Sequence, residues 1–344
     1  MKKKNFIKRS TLPEASLCAK THAKVFRTAT FRSAAVFRSA TVFRSAAFCA
    51  AVFLLAGCGN DNESATADGN GSRVPLEVTG GISAQTRAAD AAWAASDAIG
   101  IYMLKSGTTD IAESAANRRY TTAQGDGRFS ADAGASIYYP IDGSKVDFLA
   151  YYPHSASGVA DGKYALDLSD QSHLPAIDLM SASVSGKDKS APGVAFNFHH
   201  LLTKLELVNT PGTGITASEL EGMTVEITRQ RTAASYDILF EGLDVADATA
   251  ILTLNTSADG KKSAAILFPN TETAVNPIVP GRQLVFTLKT GGEKFYWNIP
   301  DDKSFNAGEK NIYTITINRS GLEVTSSITD WTSGNGTGEE GNAQ

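Results

Sequence analysis

The sequence predicts an all-β protein built as two tandem antiparallel β-sandwich domains. Three observations point that way. From Val74 onward, short runs of β-branched and aromatic residues recur between Gly, Asp, Asn and Ser turns. Apolar and polar residues alternate along many of them, the pattern of a strand with one face on a core. Helical stripes are nearly absent: residues 218–221 offer one turn at most, and residues 88–96 are Ala-rich without an apolar face. Many short strands with frequent turns favour sandwiches over βαβ units.

The chain opens with a segment of different character. Its 344 residues carry 32 Lys+Arg and 36 Asp+Glu, a net charge of −4. Residues 1–57 hold eleven of the basic groups and one acid, Glu14, so they carry +10. The remaining residues carry −14. A basic head on an acidic body reads as a leader followed by the mature protein. Within the head, Val36-Phe37-Arg38-Ser39-Ala40 and Val42-Phe43-Arg44-Ser45-Ala46 repeat with period six. Residues 46–57 then form an apolar run of twelve, short of the roughly 20 a bilayer span needs but suited to a signal peptide. The run ends in Leu55-Ala56-Gly57-Cys58, which resembles a bacterial lipobox. The resemblance implies cleavage before Cys58 and acylation of that residue, an anchor to a membrane. Cys18 and Cys49 would leave with residues 1–57, so the mature chain would keep no thiol for a disulfide or metal site.

Residues 58–73 are small, polar and acidic, and are expected to form a flexible tether. Strand-like runs follow, among them Ile99-Gly100-Ile101-Tyr102-Met103-Leu104, Val146-Asp147-Phe148-Leu149-Ala150-Tyr151-Tyr152 and Tyr313-Thr314-Ile315-Thr316-Ile317. A polar stretch with Gly and Pro at 181–193 suggests a boundary, giving domains at 74–192 and 193–332. The Gly-rich end, 333–344, is expected to be a disordered tail. An acidic body disfavours nucleic acid as a partner, and 42% hydrophobic residues exclude global disorder.

No catalytic or cofactor signature emerges. His199 and His200 are adjacent, so on a strand they point to opposite faces and cannot chelate one ion together. Gly125-Asp126-Gly127-Arg128 reads as a hairpin turn. The chain is expected to be non-enzymatic, with no metal and no cofactor. Two features qualify as binding surfaces. Tyr138 and Tyr139 precede Pro140 as Tyr151 and Tyr152 precede Pro153. If those strands pair, an exposed tyrosine row would stack on sugars, which supports a glycan-binding surface lipoprotein as the alternative function. The other is the β-like segment with Val74, Leu76, Val78 and Ile82, followed by a small-residue loop containing Arg87-Ala88. A cut after Arg87 would release that segment and open a sheet edge to a strand from another molecule.

Several pieces in order resemble the fimbrillin-like family, the Mfa-like surface lipoproteins and type V pilins of Gram-negative gut and oral anaerobes. They are the lipobox at Cys58, Thr86-Arg87-Ala88 before Trp93, and Asp97-Ala98-Ile99-Gly100-Ile101-Tyr102-Met103. Then come residues 146–153, Asp178-Leu179-Met180-Ser181-Ala182, the segment 196–207 and the closing Ile328-Thr329-Asp330-Trp331. The resemblance implies two transthyretin-like sandwiches and export to the outer-membrane surface. It further implies proteolysis at Arg87-Ala88, removal of the strand holding Val74 and Leu76, and filling of the groove by a strand of another fimbrial subunit. A host or bacterial surface ligand would follow from an adhesive role. The chain departs from the pattern after Trp331, where no apolar alternation remains. Either the donor is Leu322-Glu323-Val324-Thr325-Ser326-Ser327-Ile328, or the chain accepts a strand and donates none, as a tip or accessory adhesin. The tip or accessory role is the expectation adopted.

Overall fold

The computed structural model describes residues 73–83, 92–270, 277–330 and 339–342. All of them belong to one compact unit, residues 67–344. The first nine strands are β1 (Glu77–Ile82), β2 (Ala98–Lys105), β3 (Arg118–Thr121), β4 (Arg128–Ala131), β5 (Val146–Tyr152), β6 (Val159–Ala160), β7 (Lys163–Asp167), β8 (Met180–Lys187) and β9 (Gly193–His200). The next six are β10 (Thr203–Pro211), β11 (Thr224–Arg231), β12 (Ala233–Asp237), β13 (Gly242–Val245), β14 (Thr249–Thr253) and β15 (Asn255–Thr256). The last are β16 (Lys262–Leu267), β17 (Gln283–Thr287), β18 (Lys294–Asn298), β19 (Glu309–Asn318), β20 (Gly321–Asp330) and β21 (Glu339–Asn342). The chain is all-β, as its period-two alternation predicts; helix is confined to single 3-10 turns at Leu174–Ala176 and Ala217–Glu219 among the described residues.

Seven strands close a barrel in the order β1-β4-β3-β2-β5-β8-β9. Its interior is filled by Leu76, Val78, Ile99, Ile101, Phe129, Phe148, Phe196, Phe198 and their neighbours. β2 reads as a nearly unbroken apolar run because it is covered on both sides. Ile99, Ile101 and Met103 face the barrel core, whereas Tyr102 and Leu104 belong to a second cluster with Tyr151, Leu166 and Tyr236.

That second cluster lies at a small four-stranded sheet, β13-β12-β7-β6, whose β7 and β12 pair from Ala233↔Asp167 to Asp237↔Lys163. β7 comes from the first half of the chain and β12 from the second, so this sheet bridges the two halves. Gln171 adds a side-chain strand pair: its Nε2 donates to the Ile266 carbonyl at 3.0 Å while its Oε1 accepts the Ile266 N–H at 2.8 Å.

The second body is a sandwich of two sheets, β15-β16-β10-β19-β20-β21 and β14-β11-β17-β18. Leu205, Leu207, Ile315, Ile317, Leu322 and Val324 from the first meet Val225, Ile227, Leu284, Phe286 and Trp297 from the second. β20 is the outer long strand, paired antiparallel with β19 from Glu309↔Asp330 to Asn318↔Gly321, and carries the short β21 on its free side. Residues 339–342, within the Gly-rich segment expected to lack structure, thus run as a strand.

The boundary expected at 192/193 falls elsewhere. β9, assigned by the polar break at 181–193 to the second domain, pairs along its length with β1 and closes the barrel. The barrel gives way to the sandwich between His200 and Thr203. The break itself is β8 and a tight turn. β8 is rich in Ser and Ala because Ser181 and Ala182 are buried where little volume is available, while its far half faces solvent.

Candidate functional site: the strand that closes the barrel

β1 lies between β9 and β4, parallel to the first and antiparallel to the second. Its backbone is held on both edges. The N–H of Leu76 donates to Ile137 O at 2.9 Å, that of Glu77 to Pro192 O at 3.2 Å, and that of Gly80 to Gly127 O at 2.8 Å. Ser83 N–H donates to Phe198 O at 2.7 Å, and Ser83 Oγ donates to Asn197 Oδ1 at 2.8 Å. Without β1 the barrel becomes an open six-stranded sheet with β4 and β9 as bare edges, each a template for a strand.

Side chains set the register as firmly. Leu76 and Val78 point inward and are 6% exposed, whereas Glu77 and Thr79 between them face solvent. Val74 and Ile82 are half-buried against the same core. Burying each of the two inner side chains is worth about 1.5–3 kcal/mol. Gly80 occupies the next inward position. A Cβ there would lie 3.1 Å from Phe129 Cε2 and 3.2 Å from Phe198 Cε2, so the strand runs with its backbone against two rings. Gly127 supports this close approach from β4's side: its φ of +79° suits glycine, and any Cβ would meet the Gly80 carbonyl at 2.6 Å.

Trp93 completes the slot. Its Nε1–H donates to the Gly80 carbonyl at 2.8 Å. Its ring meets Phe129, Tyr152 and Phe198 edge-on, with centroids 5.1, 5.3 and 5.2 Å away. Period-two alternation does not single out Gly80 or Trp93. A glycine pair inside a strand pattern is the signal that finds the first, since such glycines mark close backbone approach.

The four residues taken as a displaceable strand, Val74, Leu76, Val78 and Ile82, are therefore brought together in one slot. Cys58, Arg87 and Ala88 lie outside the described residues. The tyrosines do not form a row. Tyr138 bridges to Pro75 rather than to β5, and Tyr139, Tyr151 and Tyr152 are buried. Tyr139 packs edge-on against Phe148 in the barrel core and donates to Pro192 O at 3.2 Å; its burial pushes the hydroxyl up to about 12. Tyr151 donates to Asn117 Oδ1 at 2.6 Å, and Tyr152 to Asp97 Oδ1 at 3.1 Å. Burial first, and then the Asp97 carboxylate, raises the Tyr152 hydroxyl far above its ordinary range. Only Tyr138 meets solvent substantially, beneath the Arg73 guanidinium at 5.7 Å. The sugar-stacking platform expected from Tyr138, Tyr139, Tyr151 and Tyr152 is thus replaced by core packing, because these rings are needed to fill the barrel and its outer face.

The histidines lie as strand geometry requires: His199 is exposed, while His200 is buried with its Nδ1 2.9 Å from Asp178 Oδ1. Asp126 caps the β3–β4 hairpin by accepting the Arg128 N–H at 3.0 Å. A cavity of about 390 Å³ opens beside the end of β1, lined by Ile82, Trp93, Asp97, Tyr152, Asp178 and His200. Among the described residues no three His, Cys, Asp or Glu side chains are grouped to hold a metal ion. The arrangement holds β1 by both edges, by Leu76 and Val78 inside, and by the Trp93 bond to Gly80.

Known proteins share this architecture. The chain is 44% identical over 303 residues to a proposed fimbrium subunit, Fim1C, of Bacteroides uniformis, covering 86% of this chain and 96% of that one. The crystal structure of a proposed cell adhesion protein from Bacteroides uniformis aligns with a TM-score of 0.65 at 41% identity, over 76% of this chain and 98% of that one. A proposed cell adhesion protein from Bacteroides ovatus shares the fold, with a TM-score of 0.61 at 22% identity over 77% of this chain and 100% of that one. The profile of the fimbrillin-like family matches residues 86–331, the greater part of the chain. With β1, the barrel and the sandwich in place, the chain belongs to the fimbrillin-like family.

Proposed function

We propose that this protein is a non-enzymatic fimbrial subunit with an adhesive role, exported as an outer-membrane lipoprotein through Cys58 and assembled by proteolysis-triggered strand exchange. Arg87 lies five residues beyond the end of β1. While the chain is intact, β1 is tethered to its slot and its effective concentration there is high. A cut between Arg87 and Ala88 would leave residues 58–87 held by non-covalent contacts alone, so a competing strand of another subunit displaces them by mass action. The observation that carries this reading is that one strand, β1, closes the barrel, paired on both edges and anchored by Leu76 and Val78. The similarity to a proposed fimbrium subunit supports it. With β20 kept in its own sheet, the chain would accept a strand and donate none, the position of a tip or accessory adhesin.

Limited digestion with trypsin, followed by mass measurement and gel filtration, tests the route. The expected product begins at Ala88 and takes up a strand when a second subunit is supplied, while Arg87→Ala stays uncut. A product beginning elsewhere, or a cut chain that retains residues 58–87 against any excess of partner, overturns it.

A further inference from the structure

The cavity beside the end of β1 sits where the barrel gives way to the sandwich, and both bodies build its wall. Ile82, Trp93 and Tyr152 come from the barrel side, while Lys204 and Ile266 come from β10 and β16 of the sandwich. Its volume of about 390 Å³ lies within the range of small-molecule sites, which favour such junctions. A mostly apolar wall is interrupted by a few convergent polar groups: the Asp97 and Asp178 carboxylates, the Tyr152 hydroxyl, His200 and the Lys204 ammonium.

We propose that this cavity is a binding site for one ring of a neutral sugar, and that a bound ring holds β1 in its slot. The first half deepens the adhesive role above by naming a ligand class; the second rests on the strand-exchange reading.

Sugar hydroxyls need acceptors for their protons and donors for their oxygens, beside apolar surface for their C–H groups. Asp97 supplies acceptors. Its Oδ2 accepts the Ala94 N–H at 2.7 Å and its Oδ1 the Tyr152 hydroxyl at 3.1 Å, one bond to each oxygen among the described residues. A carboxylate oxygen can accept two, so each keeps a lone pair for a ligand hydroxyl. The two protein bonds also fix the carboxylate before any ligand arrives, which lowers the entropy lost on binding. Asp178 is fixed in the same way by His200, whose Nδ1 lies 2.9 Å from its Oδ1. Lys204 brings donors to the same wall, and Leu174 and Pro175 of the first 3-10 turn bring apolar surface.

Charge selects among the polar ligands that would fit. With His200 neutral, two carboxylates against one ammonium leave the wall at −1, which turns away anionic sugars. Lys204 among the lining groups disfavours a cationic amine. A neutral polyol meets neither penalty.

Occupancy and β1 are linked because two lining residues belong to the strand's own hold. Ile82 ends β1, and Trp93 carries the bond to the Gly80 carbonyl. When β1 leaves, Ile82 goes with it and the cavity loses part of its wall. A sugar therefore binds the closed form more tightly, and by reciprocity it favours retention of β1. If it binds the closed form alone, retention rises by the factor 1 + [L]/Kd, about elevenfold at ten times Kd.

The test titrates the uncut full chain with glucose, galactose, mannose, fucose and N-acetylglucosamine, with N-acetylneuraminic acid and putrescine as charged controls. Saturation-transfer NMR and tryptophan fluorescence read binding. At least one neutral sugar is expected to bind, and Asp97→Asn to weaken it about tenfold or more, the loss of a hydrogen bond to a charged group. Ala94→Phe projects a ring into the cavity from an exposed lining position, and should abolish binding while unfolding as the native chain does. It decides the matter if Asp97→Asn fails to fold. In the trypsin-cut chain at ten times Kd, displacing residues 58–87 should need about tenfold more competing strand. Binding of no neutral sugar, or tighter binding of either charged control, overturns the site. Binding that survives Ala94→Phe puts the sugar elsewhere and overturns it as well. Sugar binding with unchanged displacement overturns the link to β1. A cut chain that exchanges strands but binds no sugar leaves the strand-exchange reading standing, whereas one that binds sugar yet never releases residues 58–87 overturns that reading and leaves the site.

Discussion

The indole N–H of Trp93 reaches the carbonyl oxygen of Gly80 at 2.8 Å, so a residue downstream of Arg87 holds the backbone of the strand upstream of it. The bond is buried, and Trp93 also fills the space among Phe129, Tyr152 and Phe198. Its two contributions separate by substitution. Trp93→Phe keeps most of the ring and loses the donor, leaving the buried Gly80 carbonyl short of a partner, and should cost about 1–3 kcal/mol. Trp93→Ala empties the site and should cost about 3–5 kcal/mol. Urea unfolding of the uncut chain measures both; equal losses would mean that ring packing contributes nothing beyond the hydrogen bond.

Gly80 and Val78 are adjacent inward positions with opposite tolerances. Val78→Ala removes two methyl groups from a buried site and should cost about 1–2 kcal/mol through the lost transfer energy and the space left behind. Gly80→Val instead forces a branched side chain against Phe129 and Phe198 and should cost about 1–3 kcal/mol by overpacking. After cleavage at Arg87, both variants should lose the residue 58–87 fragment faster than the native chain. Exchange of a labelled 76–82 peptide over time reads this directly. A Gly80→Val chain as slow to release as native would show that the slot is not shaped around glycine.

The fold was legible where one side chain in two faces a core. Leu322 and Val324, or Phe196 and Phe198, announce their strands by alternation alone. It was legible also in β2, where an unbroken apolar run reflects burial on both faces. Partners were not legible. The β7–β12 pairing joins residues about 70 apart, and nothing local in Lys163–Asp167 specifies it. The domain boundary misled because β8 uses Ser and Ala in a tight place, which resembles a linker in composition. The tyrosine row failed for a related reason: Tyr139 and Tyr151 carry hydroxyls that reach Pro192 O and Asn117 Oδ1 from inside, so a polar tip did not mean an exposed ring.

Arg282 is a fully buried side chain whose two terminal nitrogens find acceptors while its buried Nε has none among the described residues. Nη1 donates to Asn270 Oδ1 at 3.1 Å, Nη2 donates to Lys303 O at 2.7 Å, and the guanidinium lies 5.0 Å from the Phe305 ring centre. Burial pulls its pKa down, because desolvation disfavours the charged form. Arg282→Met keeps much of the volume but orphans both acceptors, and should cost about 2–4 kcal/mol. Because Arg282 lies beyond the barrel, β1 release after the Arg87 cut should proceed as in the native chain. Thermal unfolding combined with the fragment-release assay distinguishes a local loss in the sandwich from one that spreads to the slot.

Alkaline pH offers a probe that reads the barrel and the bridging sheet. Tyr139 in the barrel and Tyr236 beneath the bridging sheet are each pushed up to about 12, in both cases chiefly by burial. In the unfolded chain their hydroxyls return to the ordinary value near 10. Below that value both states are protonated and pH has no purchase on stability through these groups. Between about pH 10 and 12 the unfolded chain loses protons that the folded chain keeps, so stability falls as pH rises. The loss approaches roughly 3 kcal/mol per tyrosine at the upper end. Urea midpoints should therefore be level up to about pH 10 and then drop, with tyrosinate absorbance at the buried sites appearing only as the chain unfolds. Tyr139→Phe, which cannot ionise, should lower stability at neutral pH by about 1 kcal/mol through the lost bond to Pro192 O, yet show a shallower alkaline decline. A native midpoint that stays flat through pH 11, or a Tyr139→Phe decline as steep as the native one, would remove Tyr139 from the account.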